Sequence, residues 1–169
     1  MIPILSPRFL AAAAALAFAA GVSAQPVVMR ISHQVPPAHH MTKMLEGFAA
    51  DVKARTQGGV DVQIFGSEQL AKAAENFPQV ARGTIEAAMS VNPQWGKTIP
   101  EMSATLIPYA MSDLERIKRF PTSEARKFLD AKLEQRGVHS IAWLYITRQT
   151  IITSGKQPIV NIADFKGVK

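Results

Sequence analysis

Arg148 sits two residues beyond Ile141-Ala142-Trp143-Leu144-Tyr145-Ile146, a run rich in aromatic and β-branched side chains. Such a run predicts a buried strand, and a cation is an unusual way to end one. An unpaired guanidinium there must reach water, pair with a carboxylate of the fold, or receive an anion from outside. No acidic residue lies between Glu134 and Asp164, so the neighbouring sequence supplies no partner. The chemistry open to Arg148 is bidentate capture of a carboxylate, for which the planar guanidinium fork is suited. On residue type alone, a solvated or structurally paired arginine stays open beside that reading.

Other chemistries find less support. His33, His39 and His40 lie close together, but adjacent histidines point to different sides of a loop or helix. No His-x-x-x-His pair or nearby carboxylate completes a metal site, and none is expected. The serines occupy no G-x-S-x-G elbow, and no glycine-rich phosphate loop is present. With no cysteine, thiol catalysis, thiolate metal sites and disulfides are all excluded. No cofactor is expected. Polar residues after strands and aromatic residues in loops suit binding more than turnover.

Length and composition set the frame. A chain of 169 residues with 47% hydrophobic and 19% charged residues can build one modest packed core. The first 24 residues carry Arg8, an apolar run over 9–20 and Val22-Ser23-Ala24, the order of a secretory signal peptide cut after Ala24. That stretch is short for a bilayer span and has no stop-transfer pattern, so an exported, periplasmic protein is expected. The net charge of +6 is scattered rather than clustered, which argues against nucleic acid and allows a mild bias toward anionic small molecules.

Residues 27–32 read as a strand broken by His33-Gln34-Val35-Pro36-Pro37. Over 38–56, Met41, Met44, Leu45, Phe48 and Val52 recur at helical spacing, and Gly58-Gly59 stops the helix. Val60, Val62 and Ile64 then alternate with polar residues as in a half-buried strand. Strand, helix, strand is the unit of a parallel α/β sheet. A second cycle follows, with a helix over 70–82 that turns or kinks at Pro78 and a strand over 85–91. The prolines over 99–101 and 106–109 predict short extended surface pieces.

Ser112-Asp113-Leu114-Glu115 has the pattern of a capping box opening a helix over 113–120. A longer helix through Arg136 should turn Phe128, Leu129 and Leu133 inward, with Gly137 as its stop. A strand over 138–146, an extended piece over 149–154 and a helical turn within 159–167 complete the reading. Tyr109 and Tyr145 are expected in the core, with their hydroxyls spent on the backbone. Because α/β sheets bind ligands beyond the carboxyl ends of their strands, the candidate contacts are Gln34 and His33 after the first strand and Asn92 and Trp95 after the third. Arg148 is the fifth.

In this order, several pieces are similar to one family. They are Met29-Arg30-Ile31-Ser32-His33, Thr56-Gln57-Gly58-Gly59-Val60-Asp61-Val62, Ser67-Glu68-Gln69-Leu70, Pro100-Glu101 with Leu106-Ile107-Pro108-Tyr109, Thr147-Arg148-Gln149, and Pro158-Ile159 with the stretch 162–169. Together they resemble the periplasmic substrate-binding proteins of tripartite ATP-independent (TRAP) transporters. The resemblance runs over 29–169. It implies a periplasmic-binding-protein-like α/β lobe, with a mixed, mostly parallel sheet flanked by helices, and residues 25–169 as the N-terminal portion of a two-lobed domain truncated before the second lobe is complete. It implies no catalysis, a small carboxylate or dicarboxylate as ligand, and integral-membrane permease subunits as partners.

Arg148 falls where the family often places a carboxylate-binding arginine. The family's asparagine-glycine before that position is replaced by Ile146-Thr147, and the more characteristic arginine would follow Lys169. The alternatives are an exported α/β enzyme, an isomerase or lyase acting on a carboxylic acid through a histidine base, and the binding protein of an ATP-driven importer.

Overall fold

The structure, a computed structural model, describes residues 25–146, 154–155 and 157–168. The expected extended piece over 149–154 falls almost wholly outside them, as does the leader. Three parallel strands form the sheet: β1 (Val27–His33), β2 (Val60–Phe65) and β3 (Ala87–Met89), in the order β2-β1-β3. Val27 pairs with Val60 at the start of β1, and Ser32 with Phe65 near its end. On the other side Ile31 pairs with Ala87 and His33 with Met89. β3 is shorter than the sequence predicts because β1 ends at His33 and offers no ladder partner beyond Met89.

The helix α1 (His40–Arg55) joins β1 to β2 and buries Met41, Thr42 and Leu45. His39 is its N-cap, with Nδ1 accepting from Met41 N at 3.2 Å. At the other end Thr56 Oγ1 donates to Val52 O at 2.8 Å and accepts from Val60 N at 3.1 Å, tying helix end to strand start. Gly58 takes the left-handed turn between them at φ 82°, a conformation that suits glycine.

The connection from β2 to β3 is not the single helix predicted over 70–82. A 3₁₀ turn (Ala73–Glu75) leads into α2 (Asn76–Ala81), and Pro78 falls in the first turn of α2, where its missing N–H costs nothing. The crossovers from β1 to β2 and from β2 to β3 run in opposite directions along the sheet, so right-handed connections put α1 and α2 on opposite faces.

A 3₁₀ helix (Pro100–Leu106) replaces the extended pieces expected there, because Pro100 at its first position already holds a helical φ. In α3 (Leu114–Arg119) the cap is Asp113, whose Oδ1 accepts from Arg116 N at 2.8 Å, while the Ser112 hydroxyl donates to Tyr109 O. The N-cap therefore lies one residue later than expected, and with Arg116 at the third helical position the expected capping box does not form. Helix α4 (Glu124–Glu134) is capped by Ser123, whose Oγ accepts from Arg126 N and donates to Phe120 O.

Leu129 and Leu133 of α4 enter a core with Phe77, Ile99, Met102, Phe120 and Val138. Phe128 does not: it is 53% exposed, with the Lys132 ammonium 5.3 Å from its ring centroid. Tyr109 is likewise no core residue, being 86% exposed with φ 66°.

Residues 138–146 are not a strand. Their sequence favours β structure, but no described strand lies beside them to complete a ladder, and an unpaired strand is not a stable element. Side chains hold the segment instead. Trp143 Nε1 donates to Asp130 Oδ1 at 2.8 Å, Asp130 also pairs with Arg126, and Phe120 meets Trp143 and Tyr145 edge-on at 5.1 and 6.4 Å between centroids. The last described turn, a 3₁₀ helix (Ile162–Phe165), fulfils the turn expected within 159–167.

Candidate ligand-binding site

Parallel strands bring their carboxyl ends to one edge, so the loops after β1, β2 and β3 lie side by side. The outer edge of β3 has no strand partner among the described residues. Along it runs an open cavity of about 520 Å³ whose far wall is residues 138–146. Met41 and Leu45 of α1 line it from one face of the sheet, and Phe77 and Val80 of α2 from the other. The cavity is predominantly apolar, with a small number of polar groups placed in its wall, the composition of a small-molecule pocket.

Asn92 and Trp95 both line this cavity. They belong to a 3₁₀ turn (Asn92–Trp95) with Pro93 in its first turn. Asn92 Nδ2 donates to Thr105 Oγ1 at 2.9 Å, and Thr105 Oγ1 in turn donates to Met102 O at 2.8 Å, which sets the orientation of the amide. Trp95 Nε1 donates to Ser90 Oγ at 2.8 Å and the indole lies 4.9 Å from the Phe77 ring. With its N–H spent, Trp95 serves as an apolar wall.

The residues from the loop after β1 are placed differently. His33 is fully buried and Gln34 partly so, and neither lines the cavity. Both His33 ring nitrogens and Gln34 Oε1 are buried without a hydrogen-bond partner. Burial lowers the His33 pKa below its ordinary value, with His39 adding a smaller push downward and the Val35 backbone a pull upward. Arg148 lies outside the described residues, two positions beyond Ile146, the end of the described cavity wall.

Tyr145 is the polar group that sequence reasoning assigned to the core instead. It lines the cavity, and its hydroxyl is buried with no partner rather than spent on the backbone. Burial raises its pKa, opposed by the charge of Arg126, so it stays a neutral phenol at neutral pH. No sequence signal separates it from an ordinary core tyrosine. Among the described residues no cluster of acidic groups and histidines could hold a metal ion, and no helix is long and apolar enough to cross a membrane.

Known proteins place this arrangement in a family. Residues 31–169 match the model of DctP, bacterial extracellular solute-binding protein, family 7. The chain is 28% identical over 160 residues to the C4-dicarboxylate-binding periplasmic protein DctP of Rhodobacter capsulatus, covering 94% of this chain and 47% of that protein. It is 25% identical over 133 residues to the sialic acid-binding periplasmic protein SiaP of Vibrio cholerae, covering 78% and 40%.

In fold it is similar to a TRAP periplasmic solute-binding protein from Roseobacter denitrificans with bound β-D-glucuronate, at TM-score 0.63 and 22% identity, covering 69% of this chain and 38% of that one. A second, from Sulfurospirillum deleyianum with bound succinate, has TM-score 0.60 and 24% identity over 68% and 37% of the two chains. The chain thus spans less than half the length of these relatives. By the family match over 31–169, which takes in every described strand, helix and cavity wall beyond Arg30, this chain belongs to the DctP family of TRAP solute-binding proteins.

Proposed function

We propose that this protein captures a small organic acid, a carboxylate or dicarboxylate, in the periplasm and delivers it to the integral-membrane permease of a TRAP-type secondary transporter. The observation that carries the reading is a pocket beside the carboxyl end of β3 with residues 138–146 as one wall; two positions after that wall the sequence carries Arg148, which has no acidic neighbour in sequence. Carboxylates bound by relatives, succinate and glucuronate among them, support that ligand class. The polar groups of its wall suit holding an anion: the Asn92 amide and the hydroxyls of Ser90, Thr105 and Tyr145, beside Glu86 and His139, which are paired with Arg30 and Glu134. Residues 1–24 act as the export signal, with cleavage after Ala24.

In the proposed complex Arg148 supplies the fork to the carboxylate, Asn92 and the Tyr145 hydroxyl hydrogen-bond the remaining oxygens, and Trp95 packs against the carbon skeleton. Calorimetry with succinate and with D-glucuronate tests this. Arg148→Lys keeps the charge but loses the fork, and should weaken binding by about 1.5–3 kcal/mol, with Arg148→Ala costing more. Unchanged affinity with a lower melting temperature would assign Arg148 to internal bracing and remove it from the site. The acid should also be recovered chemically unchanged after prolonged incubation.

A further inference from the structure

We infer that His33 is a positioning residue: buried as a neutral ring, it holds the loop after β1 in place, and its protonation releases that loop. The clamp is visible in the backbone. Ser67 N donates to Val35 O at 3.1 Å and Glu68 N to His33 O at 3.1 Å, so the turn after β2 grips both ends of the His33–Val35 stretch. Ser67 and Glu68 are consecutive non-glycine residues at φ 52° and 61°, a backbone that persists only where its surroundings hold it. The His33 ring is part of those surroundings. It packs so tightly on Gly66 that a Cβ there would come within 2.7 Å of its Cε1.

A ring in that position carries charge only at a cost: the Val35 backbone favours the imidazolium, but burial is the larger effect and outweighs it. Its nitrogens have no hydrogen-bond partner, and full burial penalises the imidazolium. The titratable groups facing it offer no compensation. His39, from the N-cap of α1, adds repulsion when it is protonated. Glu68, from the turn after β2, has its carboxylate committed to Ala73 N at 2.9 Å and to the Lys72 ammonium at 3.4 Å. Protonation is therefore accommodated by opening the 33–35 and 66–68 contact. Because the folded pKa lies below the unfolded one, the clamp is at full strength above the ordinary histidine value and weakens as pH falls below it. Gln34 sits in the middle of the clamped stretch. His33 also pairs with Met89 of β3, which lines the cavity, so on the carboxylate-binding reading above the release reaches the pocket through that pair and makes ligand retention acid-sensitive.

The test uses the full chain without ligand. Amide exchange at Ser67 and Glu68, corrected for intrinsic rates and compared with the β1–β2 ladder, is read between about pH 7.5 and about pH 5, alongside the His33 Cε1–H resonance. Protection at the two amides should fall about tenfold or more relative to the ladder, with a midpoint that follows His33 and not His39, His40 or His139. His33→Gln, neutral throughout, should abolish that pH dependence.

Should His33→Gln fail to fold, the coincidence of the two midpoints in the unaltered protein still decides the matter. PH-independent protection, or a His33 that titrates at the ordinary value while the amides stay protected, overturns the proposal. Succinate affinity at the two pH values is a separate arm. Loop release without any succinate binding would count against the carboxylate reading alone, and binding that ignores loop release would overturn the link between them.

Discussion

The β1–α1–β2 unit and the 138–146 segment hold themselves together in opposite ways. In the first, backbone ladders run along β1 from Val27 to His33, and the helix end is stitched to β2 through Thr56. In the second, a stretch of β-favouring residues has no ladder and depends on three aromatic rings, one indole hydrogen bond and the Arg126–Asp130 pair. Residue preference for strand is thus only half of a strand. The other half is a neighbour with free N–H and C=O groups. The cavity lies between these two regions, so one of its walls is fastened by backbone and the other by side chains.

The largest expected effect breaks the side-chain wall at its root. Leu133 is buried in the cluster that Trp143 and Tyr145 pack against, and Leu133→Ala should cost about 2–5 kcal/mol in denaturant unfolding. Amide exchange should rise most over 138–146. If the β1–β2 amides lose protection first, the two regions are not mechanically separate.

A smaller effect sharpens the comparison to a single bond. Trp143→Phe keeps the ring but leaves the Asp130 carboxylate without its indole donor, a loss of about 1.5–3 kcal/mol for a hydrogen bond to a charged group. Denaturant unfolding should show that loss while the far-ultraviolet signal is retained. Unchanged stability would show that packing alone secures this wall.

The smallest effect belongs to the sheet. Arg30 grips Glu86 through Nε and Nη2 at 2.8 and 2.7 Å, and its backbone N–H donates to the same carboxylate at 2.9 Å, joining β1 to the approach to β3. The Arg30 side-chain hydrogen bonds, together with its N–H, hold the Glu86 carboxyl down to about 2. A depressed folded pKa gives stability that is present above the unfolded value of about 4.5 and is lost as pH falls toward about 2. Both side chains are more than a third exposed, so solvent screening keeps the effect small. Glu86→Gln should flatten the acid limb of the melting curve over that window, and an identical limb would remove Glu86 from the account.

By itself the sequence determined the alternation of strand and helix through Phe65, because periods of two and near four over Val60 to Ile64 and Met41 to Phe48 are set by local geometry. It also carried the family, through short pieces whose common order survives low identity, and the loops in which Asn92 and Trp95 reach the cavity.

Tertiary structure alone decided the rest. His33 and Gln34 share the loop expected to meet ligand, yet the approach of Gly66 and the 66–68 turn encloses the His33 ring beneath the surface. Phe128 and Leu129 are neighbours of equal apolarity, and only the position of the core chose Leu129. Tyr145 became a cavity group, and residues 138–146 remained without a strand, for one physical reason: hydrogen-bond partners and packing surfaces are contributed by residues distant in sequence, which no local pattern encodes.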